Sequence, residues 1–179
     1  SPVTTGTIAA SSTRSYCNCP ASNAFDGNSS TYWQHAYQYG GFTPQWWEIS
    51  LPAAELINRV EIDWWSATYV ARDFEIQFWT GSAWIPYAAK SGNSQQNTIF
   101  DFVPARGAQK IRIYITASLY GEVAISEVRI FKDNVIRQAA FEDISVKDGE
   151  YAYTVTSVDY YGLESAASEP ARAVVGDVI

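Results

Sequence analysis

Residues 59–64 read RVEIDW, a strict alternation of charged and apolar side chains. The same alternation occurs in FEIQF at residues 74–78 and in IRIYI at residues 111–115. Because successive side chains of a strand point to opposite faces, this period of two predicts β-strands with one buried face and one solvated face. No segment has the spacing of an amphipathic helix, so we expect an all-β protein.

Shorter strand candidates surround these three stretches, at residues 3–10, 46–51, 84–88, 98–102 and 123–131. Turn-forming clusters separate the candidates: TGS at 80–82, SGNS at 91–94 and PARG at 104–107. Many short strands joined by turns predict an antiparallel sandwich or barrel. Residues 13–44 show little periodicity, and an irregular stretch of that length usually has a function.

The composition is acidic and rich in aromatic residues. Twelve Lys and Arg oppose 19 Asp and Glu, which gives a net charge of −7 and a pI of about 4.6. Without a basic stripe, the chain has little to hold nucleic acid or anionic membrane lipid, so we expect neither as a partner. No apolar run approaches the ~20 residues that span a bilayer. No signal peptide and no Met are present. We therefore expect a mature or excised fragment, and the absence of a signal peptide says nothing about secretion. The Ser-, Thr-, Asn- and Tyr-rich, Lys-poor composition suits an extracellular protein, secreted, surface-attached or part of a virion appendage.

The two cysteines, Cys17 and Cys19, are separated by a single residue. A disulfide at that spacing is strained, and free thiols or pairing with another chain are the alternatives. A Cys-x-Cys pair without a nearby His or further Cys is a poor metal site. We expect a loop disulfide or free thiols and assign the pair no function.

The direction of the strands sorts the loops into two ends. If the strand at 56–65 runs upward, loops 64–73, 89–97 and 118–122 share one end with the stretch 34–45. No aromatic residue occurs in the opposite loops, at residues 52–55, 80–83 and 103–108. The first end collects aromatic and polar side chains, namely His35, Tyr37, Tyr39, Phe42, Trp65, Tyr69, Arg72, Asn93, Gln96 and Tyr120.

These side chains suit a sugar ligand. A pyranose offers a flat patch of C–H groups and a ring of hydroxyls, so sugar sites combine a stacking aromatic with a few converging polar groups. The platforms would be Trp65, Tyr69 and Tyr120, and the polar groups would be His35, Arg72, Asn93 and Gln96. The alternative is that Trp65 and Tyr69 pack in the core or against a protein partner while His35 hydrogen-bonds a loop. We expect the remaining Trp33, Trp46 and Trp47 in the core or at its rim.

Several motifs resemble the discoidin, or coagulation-factor type C, domain. The most specific are PASNAFDGN at 20–28, STYW at 30–33 and QWWEISL at 45–51. Further agreement is found in INRVEI at 57–62, ARDFEIQ at 71–77, KIRI at 110–113 and ISEVRI at 125–130. The resemblance covers residues 1–131, and the family 32 carbohydrate-binding modules are the closest subgroup. It implies a jelly-roll-like antiparallel sandwich of the galactose-binding type. It also implies sugar binding through a His, an Arg, an Asn and loop aromatics. His35, Arg72 and Tyr120 match this set best, and Asn93 is a looser match.

A calcium site is the second candidate. Asp26 and Asn28 flank a glycine in a turn, Thr31 follows, and Glu127 lies far along the chain. Oxygen ligands in a glycine-containing turn suit Ca²⁺, but a plain Asx-turn with an unrelated Glu is equally compatible with these residues. The resemblance implies a structural Ca²⁺ ion held by Asn23 through its carbonyl and by Asp26, Asn28, Thr31, Ser126 and Glu127.

The C-terminal residues 132–179 resemble part of a fibronectin type III sandwich. The similarity to its final strands lies in YAYTVTSVD at 151–159, GLES at 162–165 and SEP at 168–170, and RIFKDN at 129–134 and FED at 141–143 match its middle strands. The first strands of such a domain are missing. We expect a small β extension whose residues 132–177 pair with residues 123–131 or with another chain, since open sheet edges are normally covered.

No catalytic constellation is visible. One His, two Cys and scattered carboxylates give no nucleophile–base pair with a recognisable spacing, and Glu61 and Asp63 look like solvated charges on a strand. We therefore expect no enzyme but a carbohydrate-binding or adhesion module with a structural calcium. The alternative is an assembly module that binds neighbouring protein chains in an extracellular filament or phage appendage. A phospholipid-binding discoidin domain is disfavoured by the acidic pI.

Overall fold

A computed structural model describes residues 1–133, 146–156 and 164–176. The chain divides into two units, Ser1–Asn134 and Val135–Ile179. In the first unit, a short 3-10 helix at Ala21–Phe25 accompanies seven strands: β1 Thr7–Ala10, β2 Trp33–Gln34, β3 Gln45–Trp64, β4 Ala71–Trp79, β5 Trp84–Lys90, β6 Asn97–Ser118 and β7 Ala124–Lys132. The pairings of these strands are antiparallel, which confirms the predicted all-β antiparallel fold.

Strands β3 and β6 are long and take part in both layers of the sandwich. In the first layer, residues 45–50 of β3 lie between β1 and residues 110–115 of β6, and β4 and β5 follow. In the second layer, the later part of β3 lies between β7 and the early part of β6, and β2 pairs with β7. The layers are therefore joined by two continuous strands.

The continuity of β3 and β6 corrects the sequence-based strand boundaries. Turns were expected at residues 52–55 and 104–107, but both segments are strand. The pairing shifts from Ser50↔Lys110 to Glu55↔Ala108, so β3 contributes several extra residues at the corner. Extra residues in one strand bend it, and the pair turns from one layer to the other without a break.

The core contains the inward half of each alternating stretch. Val60, Ile62, Ile113 and Ile115 have no exposed surface, and Trp64 is only 1% exposed. Trp33 and Trp47 are also fully buried, as expected. Their indole N–H groups donate to backbone carbonyls, at 3.0 Å to Ser12 and 2.9 Å to Ala21, so neither polar group is left unsatisfied.

Trp46 corrects one core assignment, because it lies on the outer face of the first layer. It neighbours the buried Trp47 in β3, and adjacent residues of a strand point to opposite faces. The guanidinium of Arg112 lies 4.7 Å from the Trp46 ring centroid and 4.0 Å from that of Trp84. Glu48 accepts hydrogen bonds from Nε and Nη2 of Arg112 at 3.0 and 2.7 Å. Cation–π stacking thus covers this sheet face.

The two ends of the first unit meet. The amino group of Ser1 donates to the Lys132 carbonyl at 2.8 Å, and the Lys132 amide donates back to the Ser1 carbonyl at 2.8 Å. The Val3 amide donates to the Ile130 carbonyl, also at 2.8 Å. A short N-terminal segment is therefore paired with the end of β7.

In the second unit, strands β8 (Gly149–Tyr153) and β9 (Ala171–Val175) form an antiparallel pair. The fibronectin type III resemblance is not confirmed, and the strands expected within residues 134–145 and 157–163 lie outside the described residues. Within the described part of the chain, no helix is long and apolar enough to cross a membrane.

Candidate functional site

The loops at one end of the sandwich are joined by backbone hydrogen bonds. The Leu119 amide donates to the Val70 carbonyl, and the Ala124 amide donates to the Tyr69 carbonyl. The loop after β5 joins this end through the Asn93 amide, which donates to the Arg72 carbonyl. Three of the loops expected to share an end therefore do so.

Loops 64–73 and 118–122, together with residues 37–42, line a groove of about 410 Å³, which we call the loop-end groove. Four aromatic side chains contribute to its wall, and two of them are widely exposed, Tyr37 at 56% and Tyr120 at 68%. The complete lining is Tyr37, Gln38, Gly40, Gly41, Phe42, Thr68, Tyr69, Tyr120, Gly121 and Glu122. Exposed aromatic faces beside amide, hydroxyl and carboxylate groups are the chemistry of a polar ring-shaped ligand.

The side chains expected to bind ligand occupy different surroundings. Tyr69 and Tyr120 line the groove. Trp65 stacks on Tyr32 with ring centroids 4.2 Å apart, so one face of its indole is covered. Arg72 is exposed and pairs with Asp73 at 2.7 Å, and it is not part of the groove lining.

Asn93 is buried, and its side-chain amide is hydrogen-bonded to backbone groups of its own loop and of β4. Its Nδ2 donates to the carbonyls of Ala71 and Gln95 at 3.0 and 3.3 Å, and its Oδ1 accepts from the Gln95 amide at 3.1 Å. With these bonds formed, little of the Asn93 amide is left to meet a ligand.

His35 lies beneath the groove rather than in its lining. Its side chain is 1% exposed, and neither ring nitrogen meets a hydrogen-bond partner among the described residues. The ring packs edge-on against Phe42, which lines the groove, with centroids 5.4 Å apart. Burial lowers the pKa of His35, so its imidazole is neutral at pH 7.

Arg14 and Glu122 were not among the predicted site residues. Glu122 lies in the groove wall and forms an ion pair with Arg14, 108 residues away in the chain. Gln38 and Thr68 were missed as well, although both belong to loops assigned to this end. No local pattern marks a pair so distant in sequence, but the acidic residue next to Gly121 could have been included with its loop.

The residues of the expected calcium site form a tight turn beside a buried carboxylate. Oδ1 of Asp26 accepts from the Asn28 amide at 2.9 Å, and Oδ2 accepts from the Thr31 hydroxyl at 2.7 Å. Gly27 has φ of 74°, which a side chain would disfavour. Glu127 is 6% exposed, and its Oε2 has no hydrogen-bond partner within the described part of the chain. Burial, together with the charge of Asp26, raises the pKa of Glu127.

The remaining two members of that set are already hydrogen-bonded. Nδ2 of Asn23 donates to the carbonyls of Asn18 and Tyr32, and the Ser126 hydroxyl donates to the Asp63 carbonyl at 3.0 Å. In the described ranges, no group of three or more His, Cys, Asp or Glu side chains could hold a metal ion. Two carboxylates with amide and hydroxyl oxygens nevertheless match the ligands that Ca²⁺ prefers, and a buried carboxylate without a partner is either protonated or paired with a cation.

Cys17 and Cys19 are joined by a disulfide, with their Cα atoms 5.2 Å apart. Of the alternatives left open by the sequence, the structure therefore has the loop disulfide. Neither residue lines the groove.

Residues 7–128, more than half of the chain, match the F5/8 type C domain family. The chain belongs to the F5/8 type C domain family. The resemblance found in the motifs at residues 20–51 is thereby confirmed for the first unit. No curated protein sequence matches this F5/8 type C domain.

Solved structures similar to this F5/8 type C domain include bacterial carbohydrate-binding modules. The family 32 module of C. perfringens NanJ in complex with galactose has a TM-score of 0.63 and 21% identity, and the match covers 70% of this chain and 92% of that one. Chitosan-binding module 1 of a Paenibacillus sp. IK-5 chitosanase/glucanase has a TM-score of 0.62 and 28% identity, over 70% and 94%. Module 2 of that enzyme, in complex with chitotriose, has a TM-score of 0.62 and 26% identity, and the match covers 70% of this chain and 95% of that one.

Proposed function

We propose that this F5/8 type C domain is a non-catalytic module that binds a glycan in the loop-end groove. The observation that carries the proposal is the concentration of four aromatic rings in the groove wall, with Tyr37 and Tyr120 more than half exposed. Large exposed aromatic groups beside converging polar groups mark ligand sites rather than ordinary surface. The similarity to modules solved with galactose and chitotriose supports the same class of ligand.

The groove chemistry favours neutral or amino sugars. Glu122 is the charged residue of the lining, and the basic residues Arg14 and Arg72 do not line it. A carboxylate accepts hydrogen bonds from hydroxyl or ammonium groups, whereas it repels the carboxylate of a uronic acid. The two chitosan-binding modules, with 26% and 28% identity, point to glucosamine oligomers as the first ligands to test.

We also propose that the turn at Asp26 binds a structural Ca²⁺ ion. The ligands would be Asp26, Asn28, Thr31 and Glu127, together with the Asn23 carbonyl and Ser126. The ion would supply positive charge to the buried Glu127 carboxylate, which has an acidic neighbour and an oxygen without a hydrogen-bond partner in the described ranges. Its role would be to stabilise the fold, because these residues are not part of the groove lining.

A glycan screen at millimolar Ca²⁺, followed by titration of the best ligand, tests the glycan proposal. A shallow site with one or two stacked rings is expected to give a Kd between about 10 µM and 1 mM. Tyr120→Ala should weaken binding about tenfold, because it removes an exposed ring from the groove. Tyr87→Ala is the matched control, since Tyr87 is a partly exposed tyrosine on the edge strand β5 outside the groove lining.

Two results would count against this function. Unchanged affinity of Tyr120→Ala, with a sugar bound by the wild type, would mean that the ligand binds elsewhere. Binding of no sugar at all would favour the alternative, an assembly module that binds neighbouring protein chains. One observation supports that alternative: among the described residues, β8 and β9 pair only with each other, and two-stranded sheets are marginally stable alone.

A further inference from the structure

Arg14 lies behind the loop-end groove and contacts two residues of its wall without lining it. Its Nη1 donates to Oε1 of Glu122. Its guanidinium carbon lies 5.9 Å from the centroid of the Tyr37 ring, within cation–π range. Glu122 precedes β7 and Tyr37 follows β2, so one arginine contacts two separate loops of the groove.

Gln34 completes this arrangement. Its Nε2 donates to Oε2 of Glu122 at 3.1 Å, and its backbone carbonyl accepts from the Arg14 amide at 2.9 Å. Both carboxylate oxygens of Glu122 are therefore held from within the protein. The ion pair is only partly exposed, with side-chain exposures of 28% for Arg14 and 21% for Glu122. Charge-assisted hydrogen bonds with limited solvent access are among the stronger ones in proteins.

We propose that Arg14 is a positioning residue of the groove, which orients the Glu122 carboxylate and the Tyr37 ring toward the ligand while touching no ligand itself. A carboxylate has about four acceptor positions, so Glu122 keeps acceptors for the hydroxyl or ammonium groups of a sugar. The planar guanidinium of Arg14 can contact both residues at once. It donates a hydrogen bond to Glu122 in its plane and presents its face to the Tyr37 ring. The expected effect of Arg14 on glycan affinity rests on the proposed function. Its expected effect on the conformation of the groove does not.

The test compares Arg14→Gln, Arg14→Lys and the matched control Arg59→Gln. Arg59 is also an ion-paired arginine, with Asp101 at 2.7 Å, but it lies outside the groove lining. Two quantities are measured: the Kd for chitotriose, and the amide NMR shifts of Gly40, Gly41 and Gly121, which line the groove. Melting temperatures establish that each variant is folded.

Arg14→Gln is expected to weaken chitotriose binding about tenfold and to shift all three glycine amides, because it removes the charge and the stacking surface. Arg14→Lys should recover part of the affinity, since it restores the charge without the planar fork. Arg59→Gln should leave the affinity and the glycine amides unchanged. If Arg14→Gln cannot be folded, the comparison of Arg14→Lys with wild type takes its place, with a smaller loss of affinity expected.

Unchanged chitotriose affinity in folded Arg14→Gln would overturn the positioning role, whatever the amide shifts. If the wild type binds neither chitotriose nor another sugar, the proposed glycan function fails and the amide shifts alone decide. In that case, shifted glycine amides would support a groove organised by Arg14, and unshifted amides would refute it.

Discussion

Glu127 is a buried carboxylate with a raised pKa, and one of its oxygens has no hydrogen-bond partner among the residues that the structure describes. Because the pKa of the Glu127 carboxyl is higher in the folded domain than in the unfolded chain, the folded domain binds this proton more tightly. The stability contribution is therefore present at low pH and is lost as the pH rises through the folded pKa. In the absence of Ca²⁺, ionised Glu127 should consequently destabilise the domain at neutral pH.

Glu127→Gln is therefore expected to raise the melting temperature in EDTA at pH 7.5 and to remove any increase caused by Ca²⁺. The advantage in EDTA should shrink at pH 4.5, where the wild-type carboxyl becomes protonated. Thermal melts at both pH values, with the surface variant Glu75→Gln as control, measure this effect. A lower melting temperature of Glu127→Gln in EDTA would contradict the assignment.

His35 should give the opposite pH dependence. Burial lowers the pKa of its imidazole, so the unfolded chain takes up a proton at higher pH than the folded domain does. Stability is then present above the unfolded value near 6.5 and is lost as the pH falls toward the folded pKa. Between pH 7.5 and 5, His35→Gln should lose less stability than wild type, as measured by urea unfolding. Equal losses in both proteins would assign the pH dependence to other groups.

At the residue scale, the sequence was informative about side-chain type and poor at predicting orientation. Tyr69 and Tyr120 line the groove because strand directions carry their loops to the same end. Asn93 belongs to the right loop, yet its side-chain amide is hydrogen-bonded to backbone groups of Ala71 and Gln95. Arg14 has no neighbour in sequence that indicates its pairing with Glu122, because only the folded chain brings residues 108 positions apart into contact.

At the element scale, the alternating stretches became strands with the expected inner and outer faces. Val60 and Ile62 are fully buried, and Arg59 and Glu61 form ion pairs on the outer face. The corner of β3 and β6 could not be predicted in the same way. Proline and glycine at residues 104–107 are as compatible with a bent strand as with a turn, and the pairing partner decides between the two.

The outer face of the first layer depends on the stack of Arg112 between Trp46 and Trp84. Arg112→Ala should lower the free energy of unfolding by about 1–3 kcal/mol, because it removes two cation–π contacts and leaves Glu48 half-buried without its partner. Arg112→Lys should recover only part of this loss, since lysine cannot stack as a plane. Denaturant unfolding measures both, with Lys90→Ala on β5 as a control. A loss no larger than that of Lys90→Ala would show that the stack contributes little.

At the scale of the whole molecule, Ca²⁺ should stabilise the domain without changing its fold. A ligand that binds only the native state at a hundredfold excess over its Kd adds about 2.7 kcal/mol, which corresponds to roughly 5–10 °C in melting temperature. Asp26→Ala should abolish the difference between Ca²⁺ and EDTA. Equal melting temperatures with Ca²⁺ and with EDTA, in wild type and in Asp26→Ala, would exclude the site.

The meeting of Ser1 and Lys132 has a consequence for how the domain would carry mechanical load. A unit whose two ends lie next to each other can be inserted into a surface loop of another protein without separating the two ends of that loop. Force applied across those two points would not pull on the sandwich interior. It would separate the N-terminal segment from β7. The hydrogen bonds at Lys132 would break first and the one at Ile130 would follow. The N-terminal segment is not part of the groove lining, so this separation would begin away from the loop-end groove.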